Sequence, residues 1–251
     1  MKNILSNEKL YDLLKRSYGS QIKTFIETFK PNDRHEWLYN NGILKNLDII
    51  KNKNILDLGS HNGFWTYLRY LNGAKKIIGL EPTKKSVNAV NSFAIDNNLP
   101  IKIIQGTHKD ISNYKVDTII CGSVCEFITD FIGFINSAKK VANYFILQNS
   151  IIRDEPIIVR GTYKASALRF TNEDRIMDTS GYDDEIAQEY PLENYQNKEK
   201  FLQCHYTESF FDLVFDACKI KVEHKIVTKN QEIMSDSRKN QYRIIYRLKL
   251  N

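Results

Sequence analysis

Residues 54–65, NILDLGSHNGFW, decide the fold. Asn54-Ile55-Leu56-Asp57-Leu58 is a short, nearly continuous apolar run, as expected of a strand buried on both faces. Gly59-Ser60-His61-Asn62-Gly63 follows as a turn, and Phe64 to Leu71 reads as a helix closed by Asn72-Gly73. Strand, glycine turn and helix in that order open a parallel α/β sheet.

The alternation continues outward. Lys76 to Leu80 is a second strand, ending at Glu81-Pro82, and a helix runs from about Thr83, its N-cap, to Asn97. Ile101 to Ile104 and Val116 to Cys121 are the third and fourth strands. A helix over roughly 131–142 leads to a fifth strand at Tyr144 to Leu147. Glu208 to Cys218 is helical again, with Phe210, Phe211, Val214 and Phe215 on one stripe. Ile220 to Val227 and Tyr242 to Leu250 are β-rich with no helix between them, so they pair antiparallel. The expected fold is α/β: a doubly wound, Rossmann-like, seven-stranded sheet with a C-terminal antiparallel hairpin. Residues 1–50 read as an N-terminal helical segment, with Leu10, Leu13, Leu14, Ile22, Phe25, Ile26 and Phe29 at spacings near three and four. Arg34 and Trp37 belong to it as packing residues, with a reach toward a bound ligand as the alternative.

Residues 151–204 fit neither rhythm and read as an inserted cap over a core formed by 51–150 and 205–251. Between 171 and 199 the chain carries nine acids against two bases, a local charge of −7. Residues 219–251 carry nine bases against three acids. Charge is therefore segregated along a chain whose net charge is +6. At 251 residues, with 42% apolar and 26% charged residues, it is neither disordered, nor a coiled coil, nor collagen-like. The opening MKNILSNEKL is charged too early for a signal peptide, and no apolar run approaches membrane-spanning length, so a cytoplasmic protein is expected. Cys121, Cys125, Cys204 and Cys218 contain no C-x-x-C pair. The C-x-x-x-C pair at Cys121 and Cys125 lacks the third cysteine of an iron–sulfur motif. Reduced, buried thiols and no metal site are the expectation.

A glycine turn after the first strand of such a sheet is a ligand site, because ligands bind outside the carboxyl ends of the strands where strand order reverses. Its spacing selects the ligand. A dinucleotide turn, G-x-G-x-x-G, would need glycine where His61 and Phe64 stand, and both side chains obstruct a pyrophosphate. A phosphate loop would need Gly-Lys-Ser/Thr, which is absent. The pattern here is D-L-G-x-x-x-G, with Glu81 closing the second strand 18 residues after Gly63.

D-L-G-x-x-x-G followed by an acid at that distance resembles motif I of the class I S-adenosylmethionine-dependent methyltransferases. ILDLGSHNGFWT and KKIIGLEP resemble most the branch of tRNA wobble-uridine methyltransferase-like proteins. The resemblance covers roughly residues 50–150, and the C-terminal hairpin extends it. It implies S-adenosyl-L-methionine as cofactor, with Gly59, Ser60, His61 and Gly63 around its methionine moiety. Asp57 anchors the turn or, through water, the ligand's ammonium group; its bland alternative is a cap on the turn. Glu81, beside Pro82, accepts the ribose hydroxyls; alone it would read as a solvated strand end. Where family members carry an acid for the adenine amine this chain has Thr107, so the His108 amide or Asp110 stands in. Gly122 and Ser123 border the transferable methyl group.

The acceptor is read from electrostatics. An acidic cap repels a nucleic-acid backbone, which binding neutralises with Lys/Arg. The expected acceptor is thus a small molecule or glycan under a tyrosine-rich lid, with Tyr163, Tyr182 and Tyr206 against it and O-methylation favoured over N-methylation. Oxygen acceptors require a base. The candidates are His205, at the start of the last helix, and Glu126, after the fourth strand; the resembled branch often has a histidine at the next position, here Phe127. Two alternatives stay open: an RNA (tRNA) methyltransferase using the basic C-terminal hairpin as its phosphate footprint, and a non-catalytic cofactor-binding regulatory domain. No membrane partner is expected.

Overall fold

The computed structural model describes residues 34–61, 63–128, 130–152, 206–228 and 241–251. The described residues open on a short helix, α1 (Arg34–Leu38), which continues as a π-helical turn over Tyr39–Ile43 and a 3-10 turn over Leu44–Ile49. Then follow β1 (Asn54–Leu58), α2 (Phe64–Leu71), β2 (Lys76–Glu81), α3 (Lys84–Asp96), β3 (Ile101–Gln105) and β4 (Thr118–Gly122). The rest is α4 (Phe131–Val141), β5 (Tyr144–Ile152), α5 (Glu208–Ala217), β6 (Lys221–Val227) and β7 (Gln241–Lys249).

The seven strands form one sheet in the order β3-β2-β1-β4-β5-β7-β6. The first five are parallel; β7 runs antiparallel to both β5 and β6. This is the doubly wound sheet with its closing hairpin. One boundary differs from the sequence reading: β5 extends to Ile152, past Leu147 and into the stretch assigned to the cap. The extension has a partner, since Ser150, Ile151 and Ile152 pair with Arg243, Tyr242 and Gln241 of β7. The cap tyrosines Tyr163 and Tyr182, and His205, lie outside the described residues.

Alternating strand residues build two cores. Leu56, Ile119, Phe145 and Ile244 face one side with α4 and α5, around an aromatic nest in which Phe131 lies 5.2 Å from Phe211 and 5.6 Å from Tyr206. Ile55, Ile120, Ile146 and Ile245 face the other, beneath α2, α3 and the 38–50 run. Apolar burial on both faces explains why the strands read as runs rather than alternations. That run docks closely: a Cβ on Gly42 would fall 1.7 Å from Nε2 of Gln148, and Thr118 donates its hydroxyl to the Ile49 carbonyl at 2.6 Å. Among the described residues no helix is long and apolar enough to cross a membrane.

Candidate functional site

From β1 the chain winds outward to β2 and β3; from β4 it winds the other way, to β5. The strand order therefore reverses between β1 and β4, the point of such a sheet outside whose carboxyl ends ligands bind. Left-handed backbone gathers in the loops after both strands. Gly59 (φ 70°), His61 (45°) and Gly63 (82°) follow β1, and Ser123 (60°) follows β4. Left-handed non-glycine residues are costly and concentrate at functional sites. The two loops also touch: a Cβ on Gly59 would fall 2.4 Å from Cγ2 of Val124. Glycine at 59 is thus required twice, by its dihedral and by its neighbour.

Glu81 fastens the turn. It is 4% exposed, and its Oε2 accepts the His61 amide at 2.7 Å while Oε1 accepts the Thr83 amide at 3.2 Å. One carboxylate thereby joins the glycine turn to the start of α3, and each oxygen keeps a further lone pair. Ser60 is buried beneath the turn rather than above it, its hydroxyl 2.6 Å from where a Cβ on Gly79 would stand.

Asp57 lies buried in β1, just before the turn. Its Oδ2 takes the Thr66 hydroxyl at 2.6 Å and faces Nη1 of Arg69 at 2.6 Å, and both charged side chains are almost wholly buried. The carboxylate therefore anchors the helix after the turn. Arg69 was no candidate from sequence. It is the single cation in FWTYLRYL, and only the closed turn brings it to Asp57.

Beyond β3, Thr107 caps a 3-10 turn, His108–Asn113. Its hydroxyl accepts the Lys109 amide at 3.2 Å, and Oδ2 of Asp110 accepts the Thr107 amide at 2.8 Å. Asp110 is thus engaged in a reciprocal cap. The ring of His108 packs edge-on against Phe134, centroids 6.0 Å apart. Burial, helped by the neighbouring Lys109 charge, lowers its pKa below the ordinary value. The unfolded chain then binds the proton more readily, so this histidine's contribution to stability is present above about pH 6.5 and lost as pH falls through the lower folded value. His108→Gln is expected to lose less stability than the parent between about pH 7 and pH 5, checked by denaturant midpoints at each pH. Equal losses would refute it.

At the β4 corner, the Ser123 amide donates to the Gln148 carbonyl at 2.7 Å, and its Oγ accepts Nη1 of Arg243 at 2.9 Å. Arg243, 1% exposed, arrives from β7 through the β5–β7 register, so it too was invisible locally. Glu126 belongs to the 3-10 turn Cys125–Phe127, just past the corner. Tyr206 is 2% exposed: its hydroxyl donates to the Ile128 carbonyl and its ring stacks on Phe210 at 4.4 Å. It is a core anchor rather than a surface presented to an acceptor. Half-buried Pro82 follows Glu81, and Gly122 ends β4 beside Gln148. No group of three or more metal-ligating side chains occurs among the described residues.

No family model matches the chain. A tRNA U34 carboxymethyltransferase of Ruthia magnifica subsp. Calyptogena magnifica is 30% identical over 132 residues, which are 48% of this chain and 41% of that protein. The chain thus matches less than half the length of that relative. Among solved structures, the N-terminal domain of EvdMO1 with SAH and D-fucose is similar at a TM-score of 0.56 and 12% identity, over 87% of this chain and 82% of that one. Geranyl diphosphate methyltransferase in complex with SAM is similar at 0.55 and 7% identity, over 82% of each chain. The fold is that of the class I S-adenosylmethionine-dependent methyltransferases.

Proposed function

We propose that this chain is an S-adenosylmethionine-dependent methyltransferase acting on a small-molecule or glycan-type acceptor, with oxygen the favoured methyl-accepting atom. The observation that carries the reading is the reversal of strand order between β1 and β4. Left-handed residues follow both strands, and Glu81 is fastened to the turn with acceptor capacity to spare. Gly59, Ser60, His61 and Gly63 would hold the methionine moiety through backbone groups. Glu81 and Pro82 would take the ribose, Thr107 and His108 the adenine side. Gly122 and Ser123 would border the reacting centre. Bound there, S-adenosylmethionine supplies a methyl group on a sulfonium, a good and neutral leaving group. The protein's own work is then position, a dry site and, for an oxygen acceptor, removal of one proton. His205 or Glu126 would take it, with Tyr163 and Tyr182 against the acceptor.

The acceptor class rests on the acidic 171–199 stretch, which opposes a phosphate backbone. EvdMO1, similar in fold, was crystallised with D-fucose. A second reading, RNA methylation, draws on the tRNA-acting relative and on the basic 219–251 stretch. A coupled assay for S-adenosylhomocysteine, run on fractionated metabolites, glycans and bulk tRNA, separates the two. Turnover with the small-molecule or glycan fractions is expected. Turnover with tRNA alone, weakening as salt rises, would overturn the acceptor class. Tight S-adenosylhomocysteine binding without turnover on any fraction would point to the regulatory alternative.

A further inference from the structure

The Cys-x-x-x-Cys pair has no part in methyl transfer, yet it sits directly beneath the β4 corner. Cys121, in β4, and Cys125, which opens the following 3-10 turn, are both 0% exposed, and their sulfurs lie 3.6 Å apart. The chain between them is the corner itself: Gly122, left-handed Ser123 and Val124, all partly exposed. Val124 presses on Gly59, and Ile128, just beyond the turn, receives the Tyr206 hydroxyl.

A disulfide needs the sulfurs about 2.05 Å apart, so the pair must close by about 1.5 Å. Cys121 cannot supply that movement. Its backbone is held in mid-sheet, paired with Leu58 of β1 and Leu147 of β5. Cys125 lies beyond the strand, in the 3-10 turn, and that turn takes up the shift, carrying Val124 with it. We propose that Cys121 and Cys125 form a reversible disulfide that withdraws Val124 from the glycine turn and so weakens cofactor binding. The second half rests on the methyltransferase reading; the first does not.

The oxidant is hydrogen peroxide. One thiolate attacks a peroxide oxygen, the O–O bond breaks, and a sulfenic acid forms with release of water after protonation. The second thiolate then attacks that sulfur, forming the S–S bond and releasing the hydroxyl as a second water. Two thiols lose two electrons and two protons, and the peroxide is reduced. Both thiols are fully buried in the core beneath the corner, so oxidation proceeds through opening of the corner and is slowed by bound ligand.

The test uses the full chain with Cys204→Ser and Cys218→Ser, which leaves this pair alone. Hydrogen peroxide should remove the mass of two hydrogens from the tryptic peptide 116–139, and dithiothreitol should restore it. Amide exchange over 122–128 should change on oxidation, a readout independent of any ligand. Affinity for S-adenosylhomocysteine should fall about tenfold and recover on reduction. Cys121→Ala and Cys125→Ala, made separately so that one misfolded variant does not end the test, should each abolish the response. A peptide that never loses the two hydrogens, or a disulfide that leaves both exchange and affinity unchanged, overturns the proposal. Reduced protein that binds no S-adenosylhomocysteine would instead overturn the methyltransferase reading, with mass and exchange still deciding the disulfide.

Discussion

Replacing Arg69 with leucine is expected to destabilise the protein by about 3–5 kcal/mol. Asp57 and Arg69 are each 2% exposed and meet at 2.6 Å. Without the guanidinium, Asp57 remains buried with the Thr66 hydroxyl and no countercharge. Removing one partner of a buried pair is far costlier than removing both, since an uncompensated charge in a poorly polarisable interior has nowhere to be solvated. The double variant Asp57→Val, Arg69→Leu should therefore recover most of the loss. Denaturant midpoints at unchanged slope measure both. A single variant within about 1 kcal/mol of the parent would show that the pair does not carry this helix. The double variant has a second use. If Asp57 only anchors α2, the recovered protein keeps its S-adenosylhomocysteine affinity; if Asp57 reaches the ligand, affinity falls although stability returns.

Those residues show where local reading stops. The strands were legible because both faces are buried: Ile55 and Leu56, or Ile119 and Ile120, are adjacent in sequence and serve opposite cores. The glycine turn was legible because its dihedrals restrict its residue types, and Gly59 and Gly63 do adopt the left-handed region. Arg69 was not, because a lone arginine on an otherwise apolar helix has no local signal for its partner. Arg243 reaches Ser123 only through pairing of β7 with β5, a register that no residue near Ser123 encodes. β5 looked short because Gln148-Asn149-Ser150, which follow Leu147, are polar; their pairing with β7 keeps them in the sheet. Thr107 and Asp110, read first as a missing acid and its substitute, are a capping pair, and the three-residue spacing is itself the cap's signature.

Glu81→Ala is expected to weaken S-adenosylhomocysteine binding by about 2 kcal/mol or more, roughly thirtyfold. Two losses combine in that figure. The carboxylate accepts the His61 and Thr83 amides, so its removal strands one amide in the turn and one at the head of α3. It is also the acid assigned to the ribose hydroxyls. The two roles separate with analogues of S-adenosylhomocysteine lacking one ribose hydroxyl. A carboxylate that touches the sugar makes the parent protein discriminate against the analogue, by about 1–3 kcal/mol for a bond to a charged group, and the alanine variant should discriminate much less. A carboxylate that only fastens the turn makes natural ligand and analogue weaken together, with discrimination intact. Calorimetric titration of both proteins with both ligands closes the cycle. A coupling energy near zero would remove Glu81 from the ligand's surface and leave it as the clasp of the glycine turn. The sugar would then need another acceptor beside this turn, and the strongest link between this site and a sulfonium nucleoside would be gone.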